Sequence, residues 1–138
     1  MKAFRVVLAG VAVLLVGRVA ALAEHECVLQ SIACGQTVSG SISGSECNVG
    51  TGFYADAWAF PATSGLQVTI DMRSTQLDTY LQLSDPDQVL RAQDDDSGAG
   101  VDARLAVTLD KSGSWVIFAE NSLAFDTGPY SLSLQCNG

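Results

Sequence analysis

Apolar and polar residues alternate with a period of two over much of the second half of the chain. Leu66, Val68, Ile70 and Met72 fall on one side of a run whose other side is Gln67, Thr69 and Asp71. Leu77, Thr79, Leu81 and Leu83 alternate against Asp78, Tyr80 and Gln82, and the pattern returns at Leu105, Val107 and Leu109 and at Tyr130, Leu132 and Leu134. Such alternation is the signature of a strand with one buried face. Trp115 to Ala119 is apolar on both sides, as expected of a strand covered on both faces. Turn-forming clusters punctuate these runs at Pro61–Gly65, Ser84–Asp87 and Lys111–Gly113. No stretch of the mature part carries a helical period. The pattern predicts an all-β chain: an antiparallel, jelly-roll-like β-sandwich of about eight or nine short strands.

The first 23 residues stand apart. Lys2 and Arg5 precede an apolar run from Val6 to Gly17, and Ala21-Leu22-Ala23 forms a small-x-small site before Glu24. This is the layout of a secretory signal peptide. The run is too short to cross roughly 30 Å of hydrocarbon. Residues 1–23 are therefore expected to be a cleaved leader and 24–138 a single domain, secreted to the periplasm or the extracellular space.

Charge follows the same boundary. The 138 residues carry 15 acids and 7 bases, for a net charge of −8, but Lys2, Arg5 and Arg18 lie in the leader. The remaining 115 residues then hold 4 bases against 15 acids. Such a chain is a poor ligand for nucleic acid or for an anionic membrane surface.

All four cysteines, Cys27, Cys34, Cys47 and Cys136, lie beyond the leader, and an even count in an exported chain points to disulfides. Pairing Cys34 with Cys47 would close a turn-rich segment, and Cys27 with Cys136 would join the ends. This is the arrangement expected here. Zinc is disfavoured because no Cys-x-x-Cys pair occurs.

Catalytic chemistry finds little purchase. The single histidine, His25, sits two residues into the domain, and no Gly-x-Ser-x-Gly or His-Glu-x-x-His motif is present. A small aspartate-dependent hydrolase, with Asp78 and Asp95 as its pair, is the enzymatic alternative. The segment Asp94-Asp95-Asp96-Ser97-Gly98-Ala99-Gly100-Val101-Asp102 gathers four carboxylates within nine residues. A hard cation such as calcium would relieve their repulsion and find its oxygen ligands there. The competing reading is a solvated turn whose carboxylates cap backbone N–H groups.

Seven segments stand in a familiar order. They are Cys34–Ile42, Asp56-Ala57-Trp58-Ala59-Phe60, Gly65–Ile70, Leu77–Leu83, Asp94–Gly98, Ser112–Ile117 and Gly128–Leu134. Together they resemble the bacterial pre-peptidase C-terminal domain family over about Gly35 to Leu134. The resemblance implies a non-catalytic jelly-roll sandwich, usually appended to exported hydrolases, some of whose relatives in collagenases bind calcium and collagen. By position, Asp78 and Asp94, Asp95 and Asp96 match the family's aspartates. With Asp102 they are the candidate calcium ligands. Trp58 and Trp115 match core aromatics, and Tyr80 alternates onto the opposite face.

The family domain normally follows a catalytic domain, whereas here a leader precedes it, so the expectation is action alone or in trans. The expected function is a secreted, non-catalytic binding or adhesion module, calcium-stabilised, with an extracellular polymer or a surface protein as partner. The alternative is a structural or assembly role beside another exported protein.

Overall fold

The computed structural model describes residues 5–8, 26–96, 98, 100 and 102–138. Ala21–Ala23, Glu24 and His25 lie outside the described residues, as do Ser97, Ala99 and Val101 of the acidic segment. The strands are β1 (Arg5–Leu8), β2 (Glu26–Ser31), β3 (Gln36–Ile42), β4 (Cys47–Gly50), β5 (Phe53–Ala62), β6 (Gln67–Arg73), β7 (Thr79–Ser84), β8 (Leu90–Asp94), β9 (Ala103–Thr108), β10 (Gly113–Asn121) and β11 (Gly128–Asn137). Among the described residues there is no helix.

Two sheets share one core. The larger is ordered β1-β2-β5-β10-β7-β8 with β4 also on β5, and the smaller is β3-β11-β6-β9. Without β1, β2 and β4, each sheet has four strands, and the chain passes from one sheet to the other in the interleaved order of a jelly roll. The alternating residues face inward as their period requires. Val68, Ile70 and Met72 from β6 and Leu132 and Leu134 from β11 meet Trp58, Phe60, Leu81, Leu83, Trp115 and Ile117 of the larger sheet.

Several sequence expectations need correction. The fold is the expected all-β sandwich, and beyond residue 23 the described residues hold ten strands, slightly more than expected, because β2, β4 and β8 are short and lack clean alternation. Pro61 and Ala62 end β5 and do not open the turn that follows. The sandwich is not wholly antiparallel, since β2 runs parallel to β5 and β1 parallel to β2.

The disulfides are Cys27–Cys47 and Cys34–Cys136, and the expected pairs Cys34–Cys47 and Cys27–Cys136 do not form. The reason is strand placement. β2 and β4 lie along the same edge of β5, which brings Cys27 and Cys47 to a Cα separation of 4.9 Å. Cys34 stands just before β3, which pairs with β11, so it meets Cys136 at 5.4 Å.

Candidate functional site

One end of the sandwich gathers the β4–β5 turn and the β6–β7, β8–β9 and β10–β11 loops. Its organiser is Asn121, the last residue of β10, which is only 1% exposed. Its side-chain oxygen accepts the Tyr54 N–H at 2.9 Å. Its amide nitrogen donates to the carbonyls of Gly52 at 2.8 Å, Leu123 at 3.0 Å and Asp126 at 3.2 Å. One amide thus ties the β4–β5 turn to both limbs of the β10–β11 loop.

Further bonds hold the same loop. The Phe125 N–H donates to the Gly52 carbonyl at 2.7 Å, and the Ser122 N–H to the Asp78 carbonyl at 2.7 Å. In return the Asp78 N–H donates to a carboxylate oxygen of Asp126 at 2.8 Å. Gly52 is required where it stands. Its φ is +81°, and a Cβ there would lie 2.9 Å from the Phe125 ring and 3.0 Å from the Phe125 nitrogen.

This framework presents two large apolar side chains to solvent, Leu123 at 57% and Phe125 at 65% exposure. Phe125 also has φ +65°, a left-handed conformation that costs an L-residue on the order of 1 kcal/mol. An exposed aromatic on a strained and pinned backbone gains nothing for folding. Strain that the surroundings over-determine is a feature of functional sites.

Acidic groups gather on the loops of the same end. The carboxyl of Asp78 is raised above the usual aspartate range, by desolvation first and then by the negative charges of Asp96, Asp95 and Asp126. One of its oxygens is buried without a hydrogen-bond partner. Asp95 and Asp96 are themselves exposed.

The remaining predicted ligands are used differently. Asp94, at the end of β8, accepts the Arg104 N–H at 3.0 Å, and Asp102 accepts the Ser74 N–H at 3.2 Å. Both therefore cap backbone donors, as in the solvated-turn reading. Among the described residues, no three His, Cys, Asp or Glu side chains are arranged to hold a metal ion.

The aromatics follow the core assignment. Trp115 is buried and donates its indole N–H to the Lys111 carbonyl at 2.9 Å. Trp58 donates to the Tyr130 hydroxyl at 3.0 Å, and that hydroxyl donates to Asp56 at 2.5 Å, which ties the two sheets through a polar chain. Burial pushes both members of the second bond upward, the Tyr130 phenol and the Asp56 carboxyl. Tyr80 is half-buried on the outer face and donates to Gln93 at 2.8 Å.

Leu123, Phe125, Asn121, Gly52 and Asp126 carry no recognisable motif. The one signal was two bulky apolar residues inside the turn-like segment Asn121-Ser122-Leu123-Ala124-Phe125-Asp126-Thr127-Gly128.

No family model matches the chain, and no curated protein does. Solved structures match in shape. The pre-peptidase C-terminal domain of a Bacillus anthracis collagenase aligns at TM-score 0.62 and 17% identity, over 78% of this chain and 94% of that one. The Aeromonas hydrophila periplasmic inhibitor of g-type lysozyme aligns at TM-score 0.55 and 14% identity, over 79% and 97%. Its Salmonella Typhimurium counterpart aligns at 0.50 and 19%, over 78% and 99%. At these identities the likeness is one of fold: the chain shares the sandwich of a pre-peptidase C-terminal domain and of periplasmic g-type lysozyme inhibitors.

Proposed function

We propose that the chain is an exported, non-catalytic binding module that docks a protein partner through the loop end carrying Leu123 and Phe125. The observation that carries the reading is the 65% exposure of Phe125 on a backbone held in a left-handed conformation. A rigid apolar knob loses little entropy on binding, which is the condition for an interface anchor. The acids on the loops of the same end favour a partner whose pocket is apolar with basic groups at its rim.

Two further facts support export and a protein partner. The domain has two disulfides and no free cysteine, as oxidising compartments allow. Two proteins of the same fold are titled as inhibitors of a lysozyme. An extracellular hydrolase, with g-type lysozyme first in the panel, is therefore the partner class to test.

The test is binding by biolayer interferometry, together with inhibition of cell-wall lysis, for the mature protein against such hydrolases and surface proteins. Phe125→Ser is expected to weaken binding by 10- to 100-fold, the equivalent of burying one aromatic side chain, with an unchanged melting temperature. Binding as tight as that of the unsubstituted protein, by both Phe125→Ser and the Leu123→Ser, Phe125→Ser double variant, would overturn the reading. A structural role beside another exported protein predicts instead a stoichiometric partner that co-purifies regardless of either substitution.

Calcium stabilisation is a separate, second reading, favoured by the repulsion among Asp78, Asp95, Asp96 and Asp126. It requires these side chains to draw together around the ion. Chelator should then lower the melting temperature by mass action. An unchanged melting curve, with no heat on calcium titration, returns the segment to a backbone-capping turn.

A further inference from the structure

Beyond the leader the chain carries four basic side chains, Arg73, Arg91, Arg104 and Lys111. Three are engaged. Arg91 pairs with Asp85 at 3.1 Å and Asp110 at 2.7 Å, and Lys111 with Asp87 at 2.7 Å. Arg104 pairs with Asp71 at 2.6 Å. Among the described residues, Arg73 alone of the four makes no ion pair or side-chain hydrogen bond.

Arg73 ends β6 and borders a cleft of about 460 Å³ whose walls include Ser39, Ser74, Thr75, Asp102 and Ser131. The register explains the arrangement. Ser39 of β3 stands opposite Ser131 of β11, and Ser131 stands opposite Arg73 of β6. All three point away from the core, since Leu132 and Met72 on the same strands point into it. Adjacent strands are about 4.8 Å apart, so two hydroxyls and a guanidinium form an outward row roughly 10 Å long.

The walls are built, not incidental. The Ser74 hydroxyl donates to the Pro129 carbonyl at 2.7 Å and accepts the Gln76 N–H at 3.1 Å and the Leu77 N–H at 2.9 Å, which fixes the β6–β7 loop at the cleft margin. Asp102 spends one carboxylate oxygen on the Ser74 N–H and has the other for a ligand hydroxyl. On the same outer face, two residues along β6, the charge of Asp71 is answered by Arg104. Among the described residues, the Arg73 end of the cleft is therefore the one place with an arginine or lysine charge that no carboxylate answers.

We propose that this cleft binds a hydroxylated carboxylate of sugar-acid size. The carboxylate pairs with the Arg73 guanidinium in the bidentate geometry that arginine favours. Ring hydroxyls bond to Ser131, Ser39 and the second oxygen of Asp102. The negative charge of Asp102 orients the ligand by repelling its carboxylate toward Arg73. A row of this length accommodates a disaccharide of an acidic polymer as well as a single residue. The site stands on different residues from the Phe125 knob, so the two readings fail separately.

The test is a chemical-shift titration of the isotopically labelled mature protein with glucuronate and a short oligogalacturonate, with glucose and acetate as controls. Saturable shifts are expected at Ser39, Ser131 and Arg73 for the two sugar acids, in the millimolar range of a small polar ligand. Arg73→Gln should weaken this binding at least tenfold, while Arg91→Gln at the opposite end and Phe125→Ser leave it unchanged. Equal binding by wild type and Arg73→Gln would overturn the proposal. So would an absence of saturable shifts, or acetate binding as tightly as glucuronate.

Discussion

Replacing Asn121 by alanine tests whether one buried amide holds the loop end together. The substitution strands the Tyr54 N–H, which has the Asn121 oxygen as its partner at 2.9 Å. It also leaves the Gly52 carbonyl with only the Phe125 N–H, and frees the Leu123 and Asp126 carbonyls to water. A buried donor left unsatisfied costs about 1–3 kcal/mol, and each lost hydrogen bond adds on the order of 1 kcal/mol. Because water replaces the bonds to the Leu123 and Asp126 carbonyls, the stranded Tyr54 donor at about 2 kcal/mol and the lost Gly52 bond at about 1 kcal/mol make an expected total of about 3 kcal/mol. That is a large share of a stability of roughly 5–15 kcal/mol, yet it leaves the protein folded.

Urea unfolding measures the loss, and hydrogen exchange at the Tyr54 and Phe125 amides locates it. Asn121→Asp is the informative companion. It keeps the acceptor for Tyr54 but turns the donor that faces three carbonyls into an acceptor, so it should cost at least as much at neutral pH and recover in acid. A loss below about 1 kcal/mol for Asn121→Ala, with unchanged exchange at both amides, would refute the clamp.

Two other perturbations probe the rest of the sandwich. Glu120 of β10 is 5% exposed with an unpartnered oxygen, and burial pushes its carboxyl up to about 8 from 4.5. Between those values the native state holds a proton that the unfolded chain releases, so stability should fall as pH rises through that window. Glu120→Gln is expected to flatten this slope and to add on the order of 3 kcal/mol at pH 7. Parallel pH profiles for the two proteins would contradict it. Gly40→Ala would place a Cβ 2.3 Å from the Tyr130 hydroxyl, displacing it from Trp58 and Asp56. Loss of about 2–4 kcal/mol by denaturant unfolding is the expectation, and a neutral result would show that Tyr130 is free to move.

The alternating runs were legible because a period of two reports directly on one buried face, and β6, β7, β9 and β11 each carry it. The edge strands were not. β4 is four residues long with no fully buried position, and β8 is largely exposed, so neither writes a pattern. The disulfide pairing is a consequence of strand order, with β2 and β4 sharing an edge of β5, and spacing along the chain carries no trace of it. The acidic segment was conspicuous by composition, yet two of its carboxylates spend themselves on local N–H groups. The Asn121 clamp joins residues up to 69 positions apart, which no local motif encodes. Phe125 was visible only as a bulky residue in a turn, and its left-handed backbone is a property of the folded loop.

The central claim is that the loop end is a preformed protein-binding knob. Its most direct test is the affinity of residues 24–138 and their Phe125→Ser variant for an exported hydrolase, g-type lysozyme first, measured by biolayer interferometry with melting temperatures in parallel. A 10- to 100-fold loss at constant melting temperature is predicted. Equal affinity for both proteins, at equal stability, would contradict it.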